Sequence, residues 1–183
     1  MRRVAVLSAV VLAGGLIGTS AALATADDRS AEPDARWIAV EGEFAIVLPN
    51  GETFVDDGTT EGPEGAPPVG ARLFISEVVY DTDDGTTRGD EVGRNHIECT
   101  AQALPENLRC VATFVFTDGS QLHAAVLADF GAEASAEAFS LDVAVTGGTG
   151  TYAGATGVVT LTDISTAEET VTRYEADLDL PRR

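Results

Sequence analysis

The chain has no lysine and only 11 arginines against 30 aspartates and glutamates, for a formal charge of −19 over 183 residues. Without lysine there is no Schiff-base chemistry and no lysine-bearing phosphate loop. A surface this acidic repels the phosphates of nucleic acid and the headgroups of anionic membranes, so neither is expected as a partner. Only two histidines, His96 and His123, are present, and they lack the cysteine or carboxylate spacing of a zinc site. No G-x-S-x-G elbow supports a serine hydrolase. Asp81-Thr82-Asp83-Asp84-Gly85 has something of a calcium loop, but it lacks the third ligating position and the distal glutamate. Long apolar runs are also scarce. The one candidate, Val4 to Ile17, is too short to span a bilayer comfortably.

That run belongs to an export signal. Arg2 and Arg3 precede it, and Ala22-Leu23-Ala24 and Ala24-Thr25-Ala26 follow as A-x-A cleavage sites. Residues 1–26 are therefore read as a signal peptide removed near Ala24 or Ala26, and the remainder as secreted. Residues 27–183 suffice for one domain with a core. In an oxidising compartment the two cysteines, Cys99 and Cys110, are expected to pair.

The rest of the chain reads as short β-strands separated by turns. Residues 27–51 form an N-terminal segment with one possible strand, Trp37 to Leu48, closed by Pro49-Asn50-Gly51. Phe54-Val55 is a short strand candidate, and Asp56 to Gly70 is a Gly/Pro-rich loop. Strand-like segments then recur at Arg72 to Asp81, Val92 to Gln102, Leu108 to Thr117, Ser120 to Phe130, Phe139 to Thr146, Tyr152 to Ile164 and Thr170 to Leu180. Ala132 to Ala138 has room for one helical turn. Regular short strands of this kind indicate a barrel or a sandwich.

Two turns give a register. Asp118-Gly119, read as a two-residue hairpin, places Thr117 opposite Ser120, hence Phe114 opposite His123 and Cys110 opposite Leu127. A turn at Leu104-Pro105 places Cys99 across from Cys110, a geometry suited to a disulfide. Opposed residues share a face. One face then carries Asn95, Ile97, Cys99, Cys110, Ala112, Phe114, Phe116, Gln121, His123, Ala125 and Leu127, and it is taken as the interior. The other carries His96, Glu98, Thr113, Leu122, Ala124 and Val126, among others. Gly147, Gly148 and Gly150 supply the positive φ angles of a tight structural turn between strands. Gly148-x-Gly150-x-x-Ala153 matches a loose dinucleotide pattern, but strand-like sequence follows where a helix is required.

Four stretches in order, FVDDG at 54–58, RLFISEVVYD at 72–81, VGRNHIEC at 92–99 and VTGGTGTYAGATGVV at 145–159, resemble the allene oxide cyclase and dirigent barrels, in particular their bacterial exported forms. The resemblance spans roughly residues 52–180. It implies an all-β fold with a single eight-stranded antiparallel barrel over 52–183, a hydrophobic cavity, no cofactor and a homotrimer. It also implies an apolar small-molecule ligand, handled either by an isomerase that closes rings or by a dirigent-like guide of coupling. The alternative is a non-catalytic lipocalin-like carrier or a structural secreted barrel. Glu77 best matches the acidic position of the family's first barrel strand, although Val78 and Val79 stand where the family often has a second acid or an asparagine. As candidates for chemistry we take Glu77 as acid or base, His123 as proton carrier and Asn95 as a group orienting a carbonyl, with Ile97, Phe114 and Phe116 lining the pocket. Tyr80 and Tyr152 have polar tips but are expected to serve as packing.

Overall fold

The computed structural model describes residues 32–56, 67–103, 107–129 and 139–181. The expected signal peptide and the helical turn at 132–138 lie outside the described residues. Among the described residues nine strands form one antiparallel sheet: β1 (Ala35–Val47), β2 (Thr53–Val55), β3 (Arg72–Asp81), β4 (Glu91–Ala101), β5 (Asn107–Phe116), β6 (Gln121–Asp129), β7 (Ser140–Thr149), β8 (Thr156–Asp163) and β9 (Val171–Asp179). Neighbours follow the order β1-β3-β4-β5-β6-β7-β8-β9, and β9 returns to β1, closing an eight-stranded barrel with β2 as an extra strand beside β1. Closure satisfies both edges of every barrel strand over its paired length, which removes the aggregation hazard of an open edge.

β1 is the strand that closes the ring. It pairs with β3 along most of its length, with β9 through Ala35–Val40 and with β2 through Ala45–Val47. The barrel therefore begins at residue 35, not 52. The polar stretch 56–70 separates β1 and β2 from the other strands in sequence, and the long-range pairings of β1 with β3 and β9 show that β1 belongs with them. A bulge at Gly42 shifts the register so that Glu41 faces Glu77 while Glu43 faces Ser76. One inserted residue sends the two glutamates to opposite faces.

The hairpin between β5 and β6 differs from expectation by one residue. Asp118 accepts hydrogen bonds from the Ser120 amide (2.8 Å) and hydroxyl (2.6 Å), and Gly119 adopts φ 83°. The result is a three-residue loop, a turn followed by a left-handed glycine, instead of a two-residue turn. Phe114 pairs with Leu122, Thr113 with His123 and Cys110 with Val126. A slip of one residue exchanges the faces of a strand. So Leu122, Ala124 and Val126 point inward, and His123, Ala125 and Leu127 point outward. The β4–β5 register is as expected, and Cys99 and Cys110 form the disulfide.

The glycine-rich stretch does not form a tight hairpin between β7 and β8. Gly147 to Thr149 continue along β6, and a single 3-10 turn at Gly150–Tyr152 follows. Gly147 and Gly150 have positive φ, whereas Gly148 is needed for close approach: a side chain there would collide with the Gln121 carbonyl and Tyr152.

The lumen is filled from two ends. Trp37, Ala39, Val79, Phe114, Leu122, Val145, Val159, Tyr174 and Ala176 make one buried cluster, and Ala71, Cys99, Ala101, Leu108 and Cys110 make a second. In the first, the Phe114 ring lies 5.6 Å from Trp37 and meets Tyr174 edge-on at 5.1 Å. Phe116 lies between Trp37 (5.4 Å) and Tyr152 (4.9 Å). Such aromatic pairs contribute about 0.5–1.5 kcal/mol each beyond the area they bury.

Candidate functional site

Among the polar side chains that face this apolar interior, three from three strands are fully buried. On β3, Glu77 sits between Val78 and Ser76, which face outward, and its register partners are Glu41 on β1 and Asn95 on β4. Tyr174 arrives from β9. There Arg173, Glu175 and Asp177 alternate with Thr172, Tyr174 and Ala176, so the charged set takes the solvent face and the other set the lumen.

The three side chains bond to one another. The Tyr174 hydroxyl donates to Glu77 Oε2 at 2.8 Å, and Asn95 Nδ2 donates to the same oxygen at 2.8 Å and lies 3.2 Å from the Tyr174 oxygen. All three are buried: Glu77 is 4% exposed, Tyr174 3% and Asn95 0%. Asn95 Oδ1 is buried and has no hydrogen-bond partner. Burial raises the Glu77 pKa above its ordinary value of 4.5. The bonds from Tyr174 and Asn95 oppose that rise, and the nearby Glu41 adds to it. Tyr174 is held well above the usual phenol value, first by burial and then by the Glu77 charge. Glu41 is itself raised, by partial burial and then by Asp56. The chemistry on offer is that of a carboxyl group inclined to keep its proton, with two donors on one oxygen and an open acceptor beside it.

An apolar recess of about 40 Å³ opens next to this group, lined by Ile97, Ala112, Phe114, Val126, Leu161 and Tyr174 together with Cys110, Ala124, Val143 and Val159. The expected lining residues Ile97 and Phe114 are there, whereas Phe116 packs in the aromatic cluster. The recess is far smaller than the few hundred Å³ of a usual ligand pocket, because Trp37, Phe114, Leu122 and Tyr174 occupy the lumen. A larger concavity of about 500 Å³ lies on the outer face, lined by Glu43, Ala45, Val55, Phe74, Ser76, His96, Glu98, Val111 and Thr113 among others.

Of the three residues proposed for chemistry, Glu77 and Asn95 are brought together and His123 is not. The one-residue register shift leaves His123 outside, with Nδ1 3.3 Å from the Thr113 hydroxyl. Tyr80 lies outward between Ile38 and Arg88, whose guanidinium is 5.9 Å from the ring centre. Half-buried Tyr152 packs its ring, tilted by 34°, against Phe116. The sequence reading missed Tyr174, and the signal that finds it is the charge alternation of β9. In the acidic loop after β3, the Asp84 carboxylate accepts the amides of Thr86 and Thr87, which lowers its pKa. No group of three His, Cys, Asp or Glu able to hold a metal occurs among the described residues.

No protein-family model matches the sequence. No curated protein matches it either. Among solved structures, a pyocyanin demethylase superposes with a TM-score of 0.51 at 23% identity, covering 79% of this chain and 98% of that one. The two share a barrel fold. Two pterocarpan synthase dirigent proteins also match, both at 17% identity. One has a TM-score of 0.44 and coverage of 76% of this chain and 84% of its own, the other 0.47 with 79% and 94%. At these identities the likeness concerns the fold.

Proposed function

We infer that this allene oxide cyclase-like barrel binds an apolar small molecule against Tyr174 in the lumen and exchanges a proton with it through Glu77. The observation that carries the reading is Asn95 Oδ1, a fully buried acceptor with no donor, beside a carboxyl whose pKa burial raises. An unmet buried acceptor costs about 1–3 kcal/mol, and a ligand hydroxyl placed there removes that cost. A ligand of ordinary size enters by displacing the half-buried Ile97, Val126 and Leu161, which line the recess. Catalysis in such a site is positioning plus proton transfer: the apolar wall restricts the ligand's conformers, and Glu77 protonates an oxygen as charge develops on it. This suits an isomerisation or ring closure, or dirigent-like guidance of a coupling. The name of the demethylase that shares the fold points the same way, to a small molecule.

Native mass spectrometry of the protein purified from its original host tests the reading. A co-purified small molecule is expected in wild type and absent from Ala124→Phe, which fills the lumen. Retention of the molecule in Ala124→Phe would place the site elsewhere. A ligand held equally well and left chemically unchanged by wild type and Glu77→Gln would leave a carrier.

Export and a homotrimer belong to the same proposal. The disulfide is compatible with an oxidising compartment, and no helix among the described residues is long and apolar enough to cross a membrane. Val111 and Leu127, exposed by 42% and 65%, give the outer face apolar surface for subunit contact. Light scattering at micromolar concentration should report three times the chain mass, and a monomer would contradict the assembly.

A further inference from the structure

The inner-face row that contains the site does not stop at Glu77. Register places Glu41, Glu77 and Asn95 side by side on β1, β3 and β4. Directly opposed residues on neighbouring strands have Cβ atoms about 4.5–5.5 Å apart, so the Glu41 and Glu77 side chains leave their strands as direct neighbours on one face. The bulge at Gly42 makes this possible while turning Glu43 outward. The Glu41 amide, bonded to the Thr170 carbonyl at 3.1 Å, fixes the backbone where β9 begins. Burial is graded along the row, Glu41 half-buried and Glu77 buried, and exposed Asp56, opposite Phe44, lies outside it. The groups that act on Glu77 are Glu41 from β1, Asn95 from β4, and Tyr174 and Thr172 from β9, with Asp56 acting on Glu41. None of them is cationic. Asn95 Oδ1, buried and unpartnered, marks the inner end of the row as the place a ligand is received.

We propose that Glu41 is the proton gate of Glu77: the two carboxyls share one proton, and Glu41 passes it between solvent and the closed lumen. This rests on the reading of Glu77 as the proton-exchanging group. In one turn, the Glu77 O–H bond breaks as the ligand gains the proton, and the bond's electron pair stays on Glu77 as carboxylate. Glu41, ionised while Glu77 held the shared proton, then takes a proton from water at the half-buried end, leaving hydroxide in bulk solvent, and passes it to Glu77. No other reactant is needed. Two like-charged groups so close do not both ionise in an apolar site, so their titration belongs to the pair.

NMR of the full chain labelled with ¹³C at the glutamate carboxyl, followed against pH, reads this without any ligand. Wild type should show Glu77 titrating in two steps. Glu41→Gln should collapse them into one step with its midpoint lower by about one pH unit, because a like charge is gone, and should slow exchange of the Glu77 proton with solvent at least tenfold. Glu41→Asp should restore two steps. An unchanged midpoint and exchange rate in a folded Glu41→Gln protein would overturn the gate, and so would one-step titration in Glu41→Asp. The outcomes separate from those of the functional reading: loss of ligand capture in wild type sinks that reading while the pair's coupling stands, and ligand capture with an uncoupled Glu77 sinks the gate alone.

Discussion

Glu77 is an acid placed where its charge is costly, and this has a measurable consequence for stability. Its folded-state pKa is raised above 4.5, chiefly by burial. The native state therefore holds a proton that the unfolded chain has already lost, and stability falls as pH rises through the raised value. Below pH 4.5 both states are protonated and the contribution is fully present. Glu77→Gln keeps an uncharged side chain of similar shape, so its melting temperature should match wild type near pH 4 and exceed it above pH 4.5, by a margin that grows until the pH passes the raised folded-state value. Parallel pH profiles for the two proteins would contradict a buried, proton-retaining Glu77. Phe114 is the complementary case. It is 1% exposed and touches Trp37, Phe116 and Tyr174, so Phe114→Ala should cost about 3–5 kcal/mol in denaturant unfolding.

At the scale of elements, the β4–β5 and β5–β6 hairpins show what local sequence determines. The disulfide was legible because a turn at 104–105 and two cysteines equally spaced from it make one register. Closing its 11-residue separation contributes about 3 kcal/mol in the chain-entropy account, and Cys99→Ala with Cys110→Ala should lose that much in chemical unfolding. The β5–β6 register was misread because Asp-Gly serves both two- and three-residue loops. The deciding contact, the Asp118 carboxylate capturing the Ser120 amide and hydroxyl, depends on a side-chain rotamer that no spacing rule contains. Its outcome moved His123 out of the site and brought Leu122 in. Introduced cysteines check it: His123→Cys should react readily with a water-soluble thiol reagent in the folded protein and Leu122→Cys should not. The opposite pattern would restore the two-residue turn. Tyr174, by contrast, lies in β9, where charge alternates residue by residue and marks the lumen face, but no motif carries it.

For the whole molecule, strand content was readable from regular turn punctuation, and the closed antiparallel barrel from the resemblance carried by the four motif stretches. Which strand closes the ring was not, because β1 and β9 lie at opposite ends of the chain and their pairing, Ala35–Val40 against Val171–Ala176, leaves no local trace. Nor was the fullness of the lumen, which depends on four large side chains from separate strands meeting at one level. Closure also explains how Glu77, Asn95 and Tyr174, far apart in sequence, meet within hydrogen-bond distance, and why the free acceptor among them is sealed from bulk water. The account stands on that acceptor being where a small molecule is received. A crystal structure of the protein purified from its original host, with its co-purified molecule, tests this most directly. Density in the lumen against Tyr174, with a donor atom within hydrogen-bond distance of Asn95 Oδ1, is the predicted result. A lumen closed by its own side chains, with the molecule seated instead in the outer concavity beside His96, would contradict it.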